Sequence, residues 1–209
     1  MLEQRTGAWF AERLGRVTAS RIADVMAKTK TGPAASRTNY ATQLLMERLT
    51  GRAAPSFSSA AMDWGTETEP QARAMYAFVE GVEVIETGFH RHPHIELSGA
   101  SPDGLSGIEG LVEIKCPNSA THCATLIGKK IDRKYLYQMQ WQMACTGRVW
   151  CDFVSFDPRM TPAKQYFCQR VERDDKLISE IEAEVRTFLA EIDETLAKLE
   201  AEYPEEKAA

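Results

Sequence analysis

Two acidic side chains near the middle of this chain lie ten positions apart, and the setting of each restricts the backbone around it. Asp103 lies in Ser101-Pro-Asp-Gly104, a turn signal, and Glu113 lies in Leu111-Val-Glu-Ile-Lys-Cys-Pro117, a short strand-type run ended by proline. Alternation along a strand sends Glu113 and Lys115 to one face and Ile114 to the other, which places an ammonium beside the acid. The chain must therefore build a sheet in which one strand carries charge on one side.

The flanking pattern says what surrounds that sheet. Helices are predicted over Trp9 to Leu14, Thr18 to Ala27 with Thr18 as N-cap, Arg37 to Leu49 stopped by Gly51, and Met62 to Val79 stopped by Gly81. Segments 29–36 and 51–61, rich in small residues, read as loops. From Val82 the pattern turns to β-type runs at 82–90, 97–105 and 111–117. A helix from Lys134 to Cys145 follows, then strands over 148–157 and 164–173 around the turn DPRMTP. From Asp174, Leu177, Ile181, Val185, Phe188, Leu189, Ile192, Leu196 and Leu199 recur at helical spacing, so the sequence ends in a long amphipathic helix over about 174–202. Helices first, then a mixed sheet flanked by helices, is an α/β arrangement, and 209 residues are the length of one domain.

Composition narrows the function classes. No apolar run is long enough to span a bilayer and the first fifteen residues lack the order of a signal peptide, so a cytoplasmic protein is expected. Five cysteines with no C-x-x-C pair signal neither a disulfide framework nor a zinc ribbon, and are expected reduced and mostly buried. A net charge of −5 argues against nucleic acid only until it is divided: residues 172–209 hold thirteen acidic and five basic residues, and the remaining 171 carry a net +3. Local potential, not total charge, governs binding, so a basic groove is compatible with this composition. His90, His92 and His94 alternate and would share one side of a regular strand, but Pro93 interrupts it and no fourth ligand is apparent, which favours a solvated edge over a zinc site.

An isolated Glu-x-Lys is ordinarily a solvated surface pair. Asp103 in its turn changes that reading, because magnesium takes hard oxygen ligands and needs only one or two fixed carboxylates, the substrate phosphate completing its shell. A divalent ion held there lowers the pKa of water and offsets charge on a leaving oxygen, as phosphodiester hydrolysis requires.

Several further motifs occur in order. W-x-x-x-R-x-G-x-x-T-A-S is present as Trp9, Arg13, Gly15, Thr18, Ala19 and Ser20; W-G-x-x-x-E as Trp64, Gly65 and Glu69; Y-x-x-Q-x-Q as Tyr135, Gln138 and Gln140; and D-P-R-M as Asp157 to Met160. With SPDG and EIKCP, they make the chain resemble, over nearly its whole length, the lambda exonuclease or YqaJ-like viral recombinase nucleases of the PD-(D/E)xK superfamily. The resemblance implies a restriction-endonuclease-like core and a magnesium-dependent 5′-to-3′ exonuclease that digests linear double-stranded DNA to mononucleotides, with manganese able to substitute. It also implies that Asp103, Glu113 and the Ile114 carbonyl ligate two metals, while Lys115, Gln140 and Glu69 surround the attacking water. Arg13, Ser20 and Ser101 would grip a 5′-phosphate, a guanidinium and hydroxyls suiting that oxyanion. Lys30 would enter the minor groove and Met62 would wedge apart the terminal base pairs. A ring-shaped homotrimer, a single-strand annealing partner and a phage or prophage origin belong to the same implication.

An endonuclease or single-strand nuclease with the same metal core is the alternative, and the phosphate pocket favours end-dependence. An iron–sulfur relative is disfavoured because no cysteine follows Cys168. A catalytically idle DNA-binding protein would be favoured by loss of Asp103, Glu113 or Lys115, and all three are present.

Overall fold

A computed structural model describes residues 4–54 and 59–204; residues 55–58 of the expected loop over 51–61 lie outside them. The chain opens with α1 (Gly7–Arg13), capped by the Thr6 hydroxyl, which accepts from Trp9 N at 3.3 Å. There follow β1 (Val17–Thr18), α2 (Ile22–Val25), the hairpin strands β2 (Lys28–Thr29) and β3 (Gly32–Pro33), α3 (Ala35–Thr50) and α4 (Ala60–Glu80). Gly51 and Gly81 end the two longer helices in the left-handed region, as their positions predict.

Next come β4 (Val84–Ile85), β5 (His90–Arg91), β6 (Ser98–Ala100), β7 (Gly104–Ser106) and β8 (Gly110–Lys115), then α5 (Ser119–Gly128), α6 (Arg133–Thr146), β9 (Trp150–Phe156), β10 (Tyr166–Glu172) and α7 (Asp175–Glu202). Five strands form a mixed sheet in the order β10-β9-β8-β7-β4, in which β8 and β9 run parallel and the other pairs antiparallel. The parallel pair requires a long connection, and α5 and α6 supply it. A smaller sheet has the order β1-β6-β5. The expected α/β fold with a central mixed sheet is thus present.

Each face of β8 packs on a different helix. Val112, Ile114 and Cys116 join Val154 and Phe156 against Ala72 and Tyr76 of α4. Leu111 on the opposite face joins Cys151 and Phe153 against Met139 and Met143 of α6. The far side of α6 presents Trp141 and Cys145 to a helical core with Ile22, Tyr40 and Leu44 and with Ile181, Val185 and Phe188 of α7. Helix α6 is therefore enclosed by protein on both sides.

Several expectations needed correction. The helix over Thr18 to Ala27 is a strand, a 3₁₀ turn and one short helix, because Val17 is wholly buried and pairs with Ser98 of β6; the Thr18 side chain makes no capping bond. The loop over 29–36 contains a hairpin and the start of α3. The runs at 82–90 and 97–105 each split between the two sheets. Helix α5 occupies a segment for which the sequence pattern predicts no element; Asn118 caps it by accepting from Thr121 N at 2.9 Å. The three histidines diverge: the His90 ring bonds to Thr87, whereas the His92 ring stacks on Trp141 at 4.7 Å and lies 6.3 Å from His94. Cys116, Cys145 and Cys151 are buried and Cys123 and Cys168 partly so, all as free thiols. Among the described residues no helix is long and apolar enough to cross a membrane.

Candidate active site

The site forms where the chain passes from the small sheet into the large one. Ser101, Pro102 and Asp103 link β6 to β7, and Gln4 fixes the link by donating to the carbonyls of Thr87 and Pro102, both at 2.8 Å. Gly104 follows because nothing larger fits: a Cβ there would stand 2.3 Å from a Val84 methyl and 3.0 Å from one of Val112.

Pairing of β7 with β8 ends at Gly104 opposite Val112, which leaves the next part of β8 with an open edge. Asp103 fills it, its Oδ2 accepting from Ile114 N at 2.7 Å. A strand residue directs its N–H and C=O to the same side, so the Ile114 carbonyl leaves β8 on the edge that faces Asp103.

Glu113 is wholly buried on the α6 side of β8. An isolated carboxylate there would be expensive, and three donors offset the cost: Gln138 Nε2 on Oε1 at 2.7 Å, Gln142 Nε2 on Oε2 at 2.6 Å, and the Lys115 ammonium on Oε1. Lys115 also lies 5.2 Å from the centre of the Tyr135 ring. Burial alone would lower the Lys115 pKa, but Glu113 and Asp103 outweigh it and hold the ammonium charged.

Glu69 comes from α4, on the other side of the open edge, and pairs with Arg5 and Arg73 at 2.5 Å each. Burial first, then the negative charges of Glu113 and Glu69, push the Asp103 carboxyl well above its usual range, against the pull of Lys115. Crowding of acids on one edge is relieved by a cation. The donors gathered there, two carboxylates and a carbonyl, are the hard oxygens that magnesium prefers, and the site is compatible with that ion. No group of three or more histidine, cysteine or acidic side chains placed to hold a metal occurs among the described residues, so the carbonyl and solvent would have to complete a shell.

Gln140 does not join this cluster. Its Nε2 donates to Glu172 O at 2.8 Å and its Oε1 accepts from Asp174 N at 2.9 Å, which ties α6 to the junction of β10 and α7. The cause is helical pitch: at about 100° per residue, Gln138 and Gln142 share a face and Gln140 points away. The expected place of Gln140 beside the acids is taken by Gln138, with Gln142 as a second amide; the spacing of four residues was the available signal.

Arg13 and Ser101 meet next to the acids. Ser101 Oγ accepts from Arg13 at 3.3 Å and from the Trp9 indole at 3.0 Å, which leaves its own proton to donate. The Arg13 guanidinium lies 4.1 Å over the Trp9 ring, and burial lowers its pKa. Arg13 and Trp9 border a cleft of about 380 Å³ lined also by Arg16, Arg21, Glu47 and, at its exposed rim, Ser20; Ser101 stands behind them and does not line it. Met62, 57% exposed, stands on the cleft wall, whereas Lys30 is exposed at the tip of the β2–β3 hairpin and does not line it. Larger grooves run along α3 and between the ends of α3 and α7; the paired acids line neither of these nor the Arg13 cleft, and approach it through Ser101.

Comparison with known proteins places the fold and the family. The alkaline exonuclease LHK-Exo from Laribacter hongkongensis is 55% identical, with a TM-score of 0.89 over 94% of this chain and 97% of that one; a second crystal structure of it contains dAMP. A phage-related exonuclease from Haemophilus somnus 129PT, 17% identical, shares the fold with a TM-score of 0.68 over 88% of this chain and 96% of its own. No curated protein is significantly similar. Residues 8–149 match the YqaJ-like viral recombinase domain, and the chain belongs to that family.

Proposed function

We propose that this protein is a metal-dependent 5′-to-3′ exonuclease of the PD-(D/E)xK type. It digests linear double-stranded DNA to mononucleotides and leaves 3′ single strands for annealing recombination. The observation that carries the reading is the adjacency of two parts: the Asp103–Glu113–Lys115 cluster at the edge of β8, and the Arg13–Ser101 pair, Ser101 standing two residues before Asp103 in the chain and Arg13 on the wall of a cleft. One part suits phosphodiester hydrolysis and the other an anionic terminus, so together they suit a DNA end. The 55% identity to an alkaline exonuclease, crystallised also with a mononucleotide, supports it.

Asp103, Glu113 and the Ile114 carbonyl would hold magnesium, or manganese in its place, which supplies water activation and charge compensation on the phosphate when bound. Lys115, kept charged by its acidic neighbours, orients the attacking water and stabilises charge on the phosphate oxygens. Glu69, paired with Arg5 and Arg73 on α4, stands near that water and adds negative charge beside Asp103. Arg13 and the free Ser101 proton grip the 5′-phosphate, Ser20 adds a hydroxyl at the rim, and Met62 presses on the terminal base pair. Lys30 reaches the duplex from its hairpin. The working form is a homotrimeric ring around the DNA in the cytoplasm of a bacterial host, acting with a single-strand annealing protein; a monomer in light scattering at micromolar concentration would exclude the ring.

The direct test is digestion of linear duplex labelled at each end, with and without 5′-phosphate, beside a closed circle. Loss of 5′ label as mononucleotide with an intact circle is expected. Cutting of the circle would establish an endonuclease instead, and no metal-dependent cleavage would leave a DNA-binding protein.

A further inference from the structure

Glu113 is held by two neutral amides as well as by one charged side chain, and the inner amide has a setting of its own. Gln142 is wholly buried, donates to Glu113 Oε2 at 2.6 Å, and has its own Oε1 4.0 Å from the Cys151 thiol. Resting on the exonuclease reading, we propose that Gln142 is a positioning residue for the reaction: with Gln138 it locks the Glu113 carboxylate in one orientation without cancelling its charge.

The chemistry of the partners is the reason. A second guanidinium or ammonium at this place would satisfy the buried acid equally well but would neutralise it, leaving little for a cation to bind. An amide donates a hydrogen bond and carries no charge, so Glu113 keeps its net affinity for a metal. A carboxylate offers about four acceptor positions; Lys115, Gln138 and Gln142 use three, and one on Oε2 is left. The amide orientation is set from both ends, because a turned Gln142 would press its carbonyl oxygen against the carboxylate and leave Cys151 facing an NH₂ group. Outer hydrogen-bond partners of this kind commonly change metal affinity or activity by about 10- to 100-fold.

The sequence carries the device in register. Gln138 and Gln142 are one helical turn apart on α6, so a single rigid helix delivers both amides, and α6 is fixed from behind by Trp141 and Cys145 in the helical core.

Gln142→Met keeps the approximate size and removes the donor. The expected result is a Mg²⁺ dissociation constant raised about tenfold by calorimetry without DNA, and kcat on end-labelled duplex lowered about 10- to 100-fold with KM for DNA within about twofold. A folded Gln142→Met protein with wild-type Mg²⁺ affinity and kcat overturns the proposal. Should that variant not fold, Gln138→Met, at the more open end of the same face, decides by the same two measurements, unchanged values again overturning the clamp. If wild-type protein binds Mg²⁺ but does not cut DNA, the exonuclease reading fails while the calorimetric comparison still judges the clamp; if wild-type protein binds no Mg²⁺, the clamp is overturned.

Discussion

Glu113 and Asp152 are both buried carboxylates on adjacent strands of one sheet, yet they are held in opposite ways. Asp152, on the α4 face, receives both arms of Arg170 at 2.8 and 2.9 Å and the Tyr76 hydroxyl at 2.9 Å. Arg170 in turn lies 3.5 Å over the Trp150 ring. Bidentate pairing of that kind saturates the acid and fixes strands β9 and β10 to α4. Glu113 has two neutral amides and a lysine, and sits beside a second acid, Asp103, that burial and negative neighbours have pushed up. A saturated carboxylate contributes to cohesion; a carboxylate oriented but left electrostatically hungry is suited to hold a cation.

If the two acids differ in this way, substitutions around them should separate rate from stability. The largest effect is expected for Lys115→Met: about a 1,000-fold lower cleavage rate on end-labelled duplex, far beyond any loss of stability, since Gln138 and Gln142 still hold Glu113. A folded variant that cuts at the wild-type rate removes Lys115 from the chemistry. Asp152→Asn should do the reverse, costing about 2 kcal/mol in urea unfolding, because Arg170 and Tyr76 lose their partner while half of Arg170 remains in water; its cleavage rate should not move. A slowed but fully stable Asp152→Asn protein would erase the contrast between the acids.

Smaller effects sharpen the picture at the rim. Arg13→Ala should raise KM for 5′-phosphorylated ends about tenfold, the worth of one hydrogen bond to a charged group, with little effect on 5′-hydroxyl ends. Equal loss on both ends would mean that Arg13 does not read the phosphate.

The smallest effect concerns Asp157, where Arg159 and then Ser119 hold the carboxyl down to about 2 against the opposing effect of burial. A depressed folded pKa gives stability that is present above the unfolded value near 4 and is lost as the pH falls through about 2. Asp157→Asn should therefore cost about 1 kcal/mol at neutral pH, reduced by the exposure of Arg159. The deficit should vanish near pH 2 in urea melts. A deficit independent of pH would assign the loss to packing.

Much of this was legible in the residues. The long helices were visible because apolar periodicity and glycine stops act locally, and Glu113 and Lys115 were placed on one face by strand alternation alone. Asp103 was legible through its turn. The failures share one cause: contacts distant in sequence override local pattern. Val17 abandons a helix because β6 offers a pairing edge, and the runs at 82–90 and 97–105 break because each serves two sheets. Helix α5 was missed because its threonines and short length obscure it, although Asn118 was a readable cap.

Among the site residues, Gln140 was chosen by motif position, and the direction of its side chain was set by the rotation of α6 between the sheet and α7. Gln4 and Trp9 were invisible as supports of Pro102 and Ser101 because those contacts span 98 and 92 residues.

The residues by themselves determined the long helices and the acidic pair with its lysine, and their ordered motifs carried the resemblance to the family. The first two follow from short-range stereochemistry and from side-chain chemistry that needs no partner to be named. Tertiary structure alone decided which donors complete the site: the end of β7 pairing opens one edge of β8, Asp103 occupies it, and α6 is clamped in the rotation that aims Gln138 and Gln142 at Glu113. A buried carboxylate must find hydrogen-bond partners wherever packing brings them, and packing is a property of the whole chain.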